Sequence, residues 1–281
     1  MLVTDIFEEI HENFANREVQ LPSLPDIAMR IHKAARDPNC NFDSIGKVIK
    51  SDTALSAHLI RMANSPLYLT RRPVTNVRAA VHRIGVPGVR SFATQFALSN
   101  LFHSYNHGLN KLFRDVWEDS CEISALTAVL ATFCAGFDPD DALLAGLLQD
   151  IGIVVLLGQV AQHGEDITDA DNLHTSLDRW GPSTGVMLLE SWEFDPRYIE
   201  VVRSRHDWHR DGSDQAGLAD VVTLARLHRY AVSGRMADCP PINEVPAFRK
   251  LPVGQLSPQM SLQILEEARE EIGAIRAMLR G

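Results

Sequence analysis

The chain has 281 residues, 45% of them apolar and 22% charged. This is ordinary globular usage and excludes a disordered, collagenous or low-complexity protein. Its 27 Lys and Arg stand against 36 Asp and Glu, a formal net charge of −9, which argues against a general binder of the nucleic-acid backbone while leaving room for a local basic patch.

Periodicity is helical almost throughout, and the fold class expected is all-α. Ile6, Ile10 and Phe14 recur at four-residue spacing on an acidic first helix. LPSLP (Leu21–Pro25) breaks it, and Pro25 suits the first turn of the next helix, whose buried face is Ile27, Ile31 and Ala34 or Ala35. Asp37-Pro38 ends that helix, and a short one follows with Phe42, Ile45, Val48 and Ile49 apolar. Ser51 or Asp52 caps the next, which carries Leu55, Leu59, Ile60 and Met62 and stops at Asn64-Ser65-Pro66. Leu67–Thr75 reads as a loop. Thr75 or Asn76 then caps a helix with Val77, Val81 and Ile84 inside, closed by Gly85 in a left-handed conformation. Pro87 opens another, with Val89, Phe92, Phe96 and Leu101 near one face. No alternating strand-length run or hairpin turn signal interrupts the pattern.

Ser104–Asn110 is polar and contains Gly, and marks the expected lobe boundary. Beyond it the pattern predicts helices over Lys111–Ala135, Asp141–Val160, Leu173–Arg179, Ser183–Trp192, Arg197–His206 and Leu218–Ala231. Ala237–Pro258, with five prolines, is an irregular connector, and a last helix runs over Ser261–Leu279. The organisation expected is therefore an N-terminal helical lobe (1–103), a second helical lobe (111–236), and a connector with a C-terminal amphipathic helix (237–281) that packs on the body. The seam Leu265, Ala268, Ile272, Ile275, Leu279 lasts only two heptads, so packing on the protein's own body is preferred and a homodimer contact is the alternative. Cys40, Cys121, Cys134 and Cys239 form neither a CxxC pair nor a zinc-finger spacing and read as reduced thiols. The N-terminus carries acids where a secretory signal needs a basic region. The longest uncharged stretch, Ile123–Phe137, has fifteen residues where a membrane-spanning helix needs ~20. The expectation is a soluble, cytoplasmic chain with no membrane partner.

Three segments carry a resemblance: LPSLPDIAMRI (Leu21–Ile31), IKSDTALSAHLIRMANSPLY (Ile49–Tyr68) and RRPVTNVRAAVHRIGVPGVRSF (Arg71–Phe92). Together with LLAGLLQDIG (Leu143–Gly152) and GVMLLESWEF (Gly185–Phe194), they resemble the HDOD family, the HD-related output domain of bacteria, over roughly residues 17–210. The resemblance implies a second lobe built like the HD-domain metal phosphohydrolases. Those enzymes hold metal with a His on one helix, a His-Asp doublet on a following helix and a later Asp. Imidazole and carboxylate together bind divalent ions that activate water. Matched position by position, this chain departs from the pattern. Gln149-Asp150 stands at the doublet, Asp119 at the earlier His, and Trp180-Gly181 where related domains often carry Asp-His; His206 matches a position where the family often has His.

Gln149 is a neutral amide and a poor substitute for imidazole. Two readings stay open for Gln149-Asp150: a buried hydrogen-bonding pair or helix-to-helix staple, or an oxygen-only Mg²⁺ or Ca²⁺ site with Asp119. No metal and no cofactor is expected. The residual candidates for a metal are Asp119, Gln149, Asp150 and His206, and no residue is assigned a catalytic role. His103 and His107, and His206 and His209 beside Asp207 and Trp208, have helical or turn spacing but lack further ligands. Arg71-Arg72-Pro73 with Tyr68 suits either phosphate recognition or a helix-capping loop. Neither a nucleophile elbow nor a phosphate-binding glycine loop is present. The resemblance implies a stand-alone signalling module that binds a protein or small-molecule partner rather than catalysing a reaction. Its competitor is a divergent metal-dependent phosphohydrolase acting on a nucleotide or other phosphoester.

Overall fold

Local side-chain chemistry starts several of the helices. The computed structural model describes residues 3–280 apart from 17, 19, 38, 69–71, 102–108, 164–169, 236–238 and 252–257. Among the described residues every regular element is helical. The first is α1 (Val3–Ala15), which buries Phe7, Ile10 and Phe14. In α2 (Asp26–Arg36), Pro25 sits at the N-cap, one residue before the expected first turn. In α3 (Phe42–Lys50), Asn41 and Ser44 form a capping box. Asp52 caps α4 (Thr53–Ala63) by accepting from the Leu55 amide at 2.9 Å.

The Asn64 stop has a long-range purpose as well. Its side chain accepts from the Val74 amide and donates to the Val74 carbonyl, at 2.7 and 2.8 Å, clamping the ends of the loop that contains a 3-10 turn at Pro66–Tyr68. Asn76 caps α5 (Val77–Leu101) through the Ala79 amide. Gly85 breaks α5 with φ 77° and ψ 164°. The positive φ was expected, but the ψ puts it outside the left-handed helical region, in backbone space open essentially to glycine alone. Pro87 then restarts the helix.

The second half of the chain comprises α6 (Asn110–Thr132), α7 (Pro139–Leu148), α8 (Ile151–His163), α9 (Ala170–Ser191), α10 (Pro196–Arg203) and α11 (Leu218–Val232). The sequence predicted a single helix over Asp141–Val160; the structure has two, meeting at Gln149-Asp150. Both halves are apolar on every side, so no change of stripe marks the break. Pro139–Ala161 is also long and apolar enough to cross a membrane, but 89% of its most apolar window is buried inside the protein, the burial of a core segment rather than of a lipid-facing one.

Conversely, the two helices predicted around Gly181-Pro182 are one, α9, with Pro182 inside it. Tertiary packing holds it continuous. Gly152 of α8 lies so close to α9 that a Cβ there would run into the Gly181 carbonyl and the Gly185 amide.

The chain ends in a 3-10 turn (Ile242–Glu244), α12 (Pro246–Lys250), α13 (Pro258–Glu267) and α14 (Arg269–Arg280). The single tail helix expected is divided at Ala268. α14 lies on α6, with Ile272 and Ile275 buried and Arg276 paired to Glu122 at 2.6 Å.

One hydrophobic core runs through both halves. Within it α5 gathers α2, α3 and α4, α6 pairs with α7, and α8 pairs with α9. α1, although first in the chain, packs on α9 and α8. The Trp192 indole donates to the Pro22 carbonyl at 2.8 Å, tying the LPSLP entry to the GVMLLESWEF helix. The expected lobe boundary falls mostly on 102–108, outside the described residues. None of the four cysteines is in a disulfide.

Candidate functional site

The α7–α8 turn, the end of α10 and one face of α11 meet around Asp150. Its carboxylate is buried and paired with Arg205, at 2.6 Å from Nε to Oδ1. Burial alone would raise this carboxyl. Arg205, then Arg226 and His206, outweigh it and hold it below the usual carboxylate range. Arg205 is held above its ordinary value by Asp150, against its own burial. His206, next in the chain, is driven down to about 4 by burial and by the Arg205 guanidinium. It is therefore a neutral imidazole at pH 7. Its Nε2 lies 3.5 Å from Asp178 of α9.

Arg226, Arg229 and Tyr230 project from one face of α11, at positions i, i+3 and i+4. The Arg226 guanidinium donates to the Arg205 backbone carbonyl and lies over the Trp208 ring, 4.4 Å from its centroid. Trp208 meets Tyr230 edge-on at 5.7 Å. Arg235 covers the other side of Tyr230 at 4.2 Å. Asp119 of α6 pairs with Arg229 at 2.6 Å, and Arg235 stands 3.8 Å from its second oxygen. Gln149 is 1% exposed, and neither its amide nitrogen nor its oxygen has a hydrogen-bond partner.

The four candidates read from the sequence are thus placed differently from a metal centre. Asp119 and Asp150 each accept a guanidinium of their own, which occupies carboxylate lone pairs that a cation would need. His206 faces Asp178, and position 149 offers only an amide. Among the described residues no three His, Cys, Asp or Glu side chains converge as a ligand group. The donor set present does not fit the divalent ions of an HD-type centre, nor the oxygen-only Mg²⁺ or Ca²⁺ site considered for Asp119, Gln149 and Asp150. The other reading, a buried hydrogen-bonding pair or helix-to-helix staple, holds for one of the two residues: Asp150 is stapled to Arg205 beyond the end of α10, whereas Gln149 makes no hydrogen bond.

Sequence reasoning missed the arginines. Arg205, Arg226, Arg229 and Arg235 come from segments read as helix or loop surface. The one available signal was the spacing of Arg226, Arg229 and Tyr230 on a helix whose other residues are mostly apolar. Of the remaining expectations, His103, His107 and Arg71 lie outside the described residues. His209 is exposed, and its backbone amide bonds Asp207. The Tyr68 hydroxyl donates to Asp140 at the start of α7. Arg72 is exposed, and its carbonyl accepts from Arg83.

A family model, the HDOD domain, matches residues 21–208. The crystal structure of a candidate metal-dependent phosphohydrolase from Shewanella amazonensis SB2B superposes with a TM-score of 0.81, at 25% identity, over 98% of each chain. An HDOD domain protein of unknown function from Geobacter sulfurreducens superposes at 0.68 and 22% identity over 98% of this chain and 96% of that one, a likeness of fold alone. Among curated proteins, an uncharacterized protein of Treponema pallidum (strain Nichols) is 21% identical over 229 residues. This chain spans 76% of its own length in that match and 43% of the relative's.

Proposed function

The chain belongs to the HDOD family, and from that premise we propose that it is a non-catalytic regulatory module of bacterial signalling that binds a protein or small-molecule partner. The setting we propose is the cytoplasm. The pairing of Asp150 with Arg205 carries the reading. A metal phosphohydrolase needs this carboxylate ionised and open to a divalent ion. Here it is ionised, but its counter-charge is a guanidinium from the same chain. Admitting a metal would require Arg205 to leave, stranding a buried cation beside Arg226. Breaking a buried pair in this way costs ~3–5 kcal/mol.

The competing function, a divergent metal-dependent phosphohydrolase, has in its favour the name and close superposition of the Shewanella relative. One experiment separates the two. The full chain is assayed for phosphodiesterase and phosphatase turnover with Mg²⁺ and Mn²⁺, and its metal content is measured by elemental analysis. The expected results are no turnover above background and no stoichiometric metal. Metal-dependent turnover that disappears in Asp150→Ala would overturn the proposal.

A further inference from the structure

The buried end of the arginine cluster carries more positive charge than the chain balances. Arg226 is 3% exposed, and among the described residues it forms no ion pair. Its hydrogen bonds run to the Arg205 carbonyl and to Tyr230, and its face rests on Trp208. Arg205 has Asp150, so two buried guanidiniums share one buried carboxylate, with the exposed Asp178 as the next negative charge. This local excess sits in a chain whose net charge is −9.

Buried polar atoms are left over too. Nη1 of Arg205 and Nε of Arg226 are buried without partners, as are both ends of the Gln149 amide at the same α7–α8 turn. Buried charge is ordinarily paired and buried donors are ordinarily satisfied, so the two arginines point to a missing acceptor that is also an anion; the Gln149 oxygen, an acceptor, does not add to that demand. A tetrahedral oxyanion meets both needs at once, because its several oxygens match the planar donor forks of two arginines.

We propose that Arg205 and Arg226 form a binding site for a phosphate or phosphoester group, which supplies the counter-charge the chain lacks. Asp150 is then a positioning residue that holds the Arg205 fork. The Tyr230 hydroxyl reports the same uncompensated field: burial would raise it, yet Arg205, Arg226 and Arg235 bring it below its usual value.

The proposal rests on the reading of a non-catalytic site only in taking Asp150 to be without metal. It is tested by titrating the full chain, by calorimetry and thermal melting, with inorganic phosphate and separately with AMP. Chloride at matched ionic strength is the control, and the two probes separate free phosphate from a phosphoester. A saturable heat and a rise in Tm that chloride does not reproduce are expected. Arg226→Met should weaken binding at least about tenfold without lowering the Tm of the unliganded protein. If Arg226 is only a stacking clamp, that variant loses Tm and keeps its affinity for the probe. Should Arg226→Met fail to fold, Arg226→Lys retains the charge, loses the fork and should still bind more weakly. No saturable response to either probe, or unchanged affinity in the variant read, overturns the site. Binding accompanied by Mn²⁺-dependent turnover would instead overturn the non-catalytic reading and leave the site standing.

Discussion

Asp140 opens α7 and Asp150 precedes α8, so two buried carboxyls bracket one short apolar helix, and they behave in opposite ways. Asp150 faces a guanidinium and is held below its ordinary value. Asp140 faces the Tyr68 hydroxyl, with Asp138 and Asp141 nearby, and is pushed up to about 7, chiefly by burial. Depth is similar at the two positions, so it is not what separates them. The partner's charge decides whether burial is overcome. Tyr68 offers one hydrogen bond and no charge, and two further carboxylates add to the cost. Asp150 is therefore ionised through the neutral range, while Asp140 titrates within it.

The largest effect should come from removing the cation. Arg205→Met leaves Asp150 buried without its guanidinium and should cost ~3–5 kcal/mol in urea unfolding. Asp150→Asn on that background should recover more than half of the loss, since it removes the orphaned charge. If the double variant is no more stable than the single one, the arginine contributes by packing and not by charge. The pH dependence has a definite sign. A depressed carboxyl contributes stability above its unfolded pKa of about 3.8, and that stability is lost as pH falls through the lower folded value.

Asp140 gives the opposite dependence. Its folded value, about 7, lies above the unfolded 3.8. The stability it contributes is thus fully present below about pH 4 and lost as pH rises through 7. Asp140→Asn keeps an acceptor for Tyr68 and abolishes the titration. Relative to the parent, it should gain on the order of 4 kcal/mol at pH 8 and little at pH 4. Parallel stability curves for parent and variant from pH 4 to pH 8 would show that Asp140 does not titrate with folding.

The contrast also explains what the sequence could reveal. Asn41, Asp52 and Asn76 cap helices through amides two or three residues away, so a local pattern contains them. Gly85 was legible because a positive φ has few tenants. The break at Gln149-Asp150 was not legible, because the groups that hold Asp150 lie on α10 and α11. Arg205 is 55 residues away in sequence, and the Asp119 partner Arg229 is 110 residues away. Gly181-Pro182 misled in the other direction: a local breaker was overruled by the close crossing of α8 on α9. The HDOD resemblance pointed to positions 119, 149, 150 and 206, but a motif does not show which distant side chains face them. It could not show that Asp119 and Asp150 are each paired with an arginine.

The smallest effect concerns the second carboxylate–arginine pair, and it sharpens the comparison by holding chemistry constant while exposure changes. Asp119 and Arg229 are as close as Asp150 and Arg205, 2.6 Å in each case. Their side chains, however, are 35% and 28% exposed, against 6% and 10% for the buried pair. Water screens the outer pair and solvates either partner once the other is removed, so no orphaned buried charge results. A double-mutant cycle of Asp119→Asn and Arg229→Met should therefore give a coupling of about 1 kcal/mol or less, shrinking further in high salt. The inner pair should show several times that coupling and much less salt dependence. Equal couplings at the two sites would mean that Asp119 lies in the same dry region as Asp150. The two carboxylates would then have to be treated as one centre, and the arginines as its occupants rather than as two separate clamps.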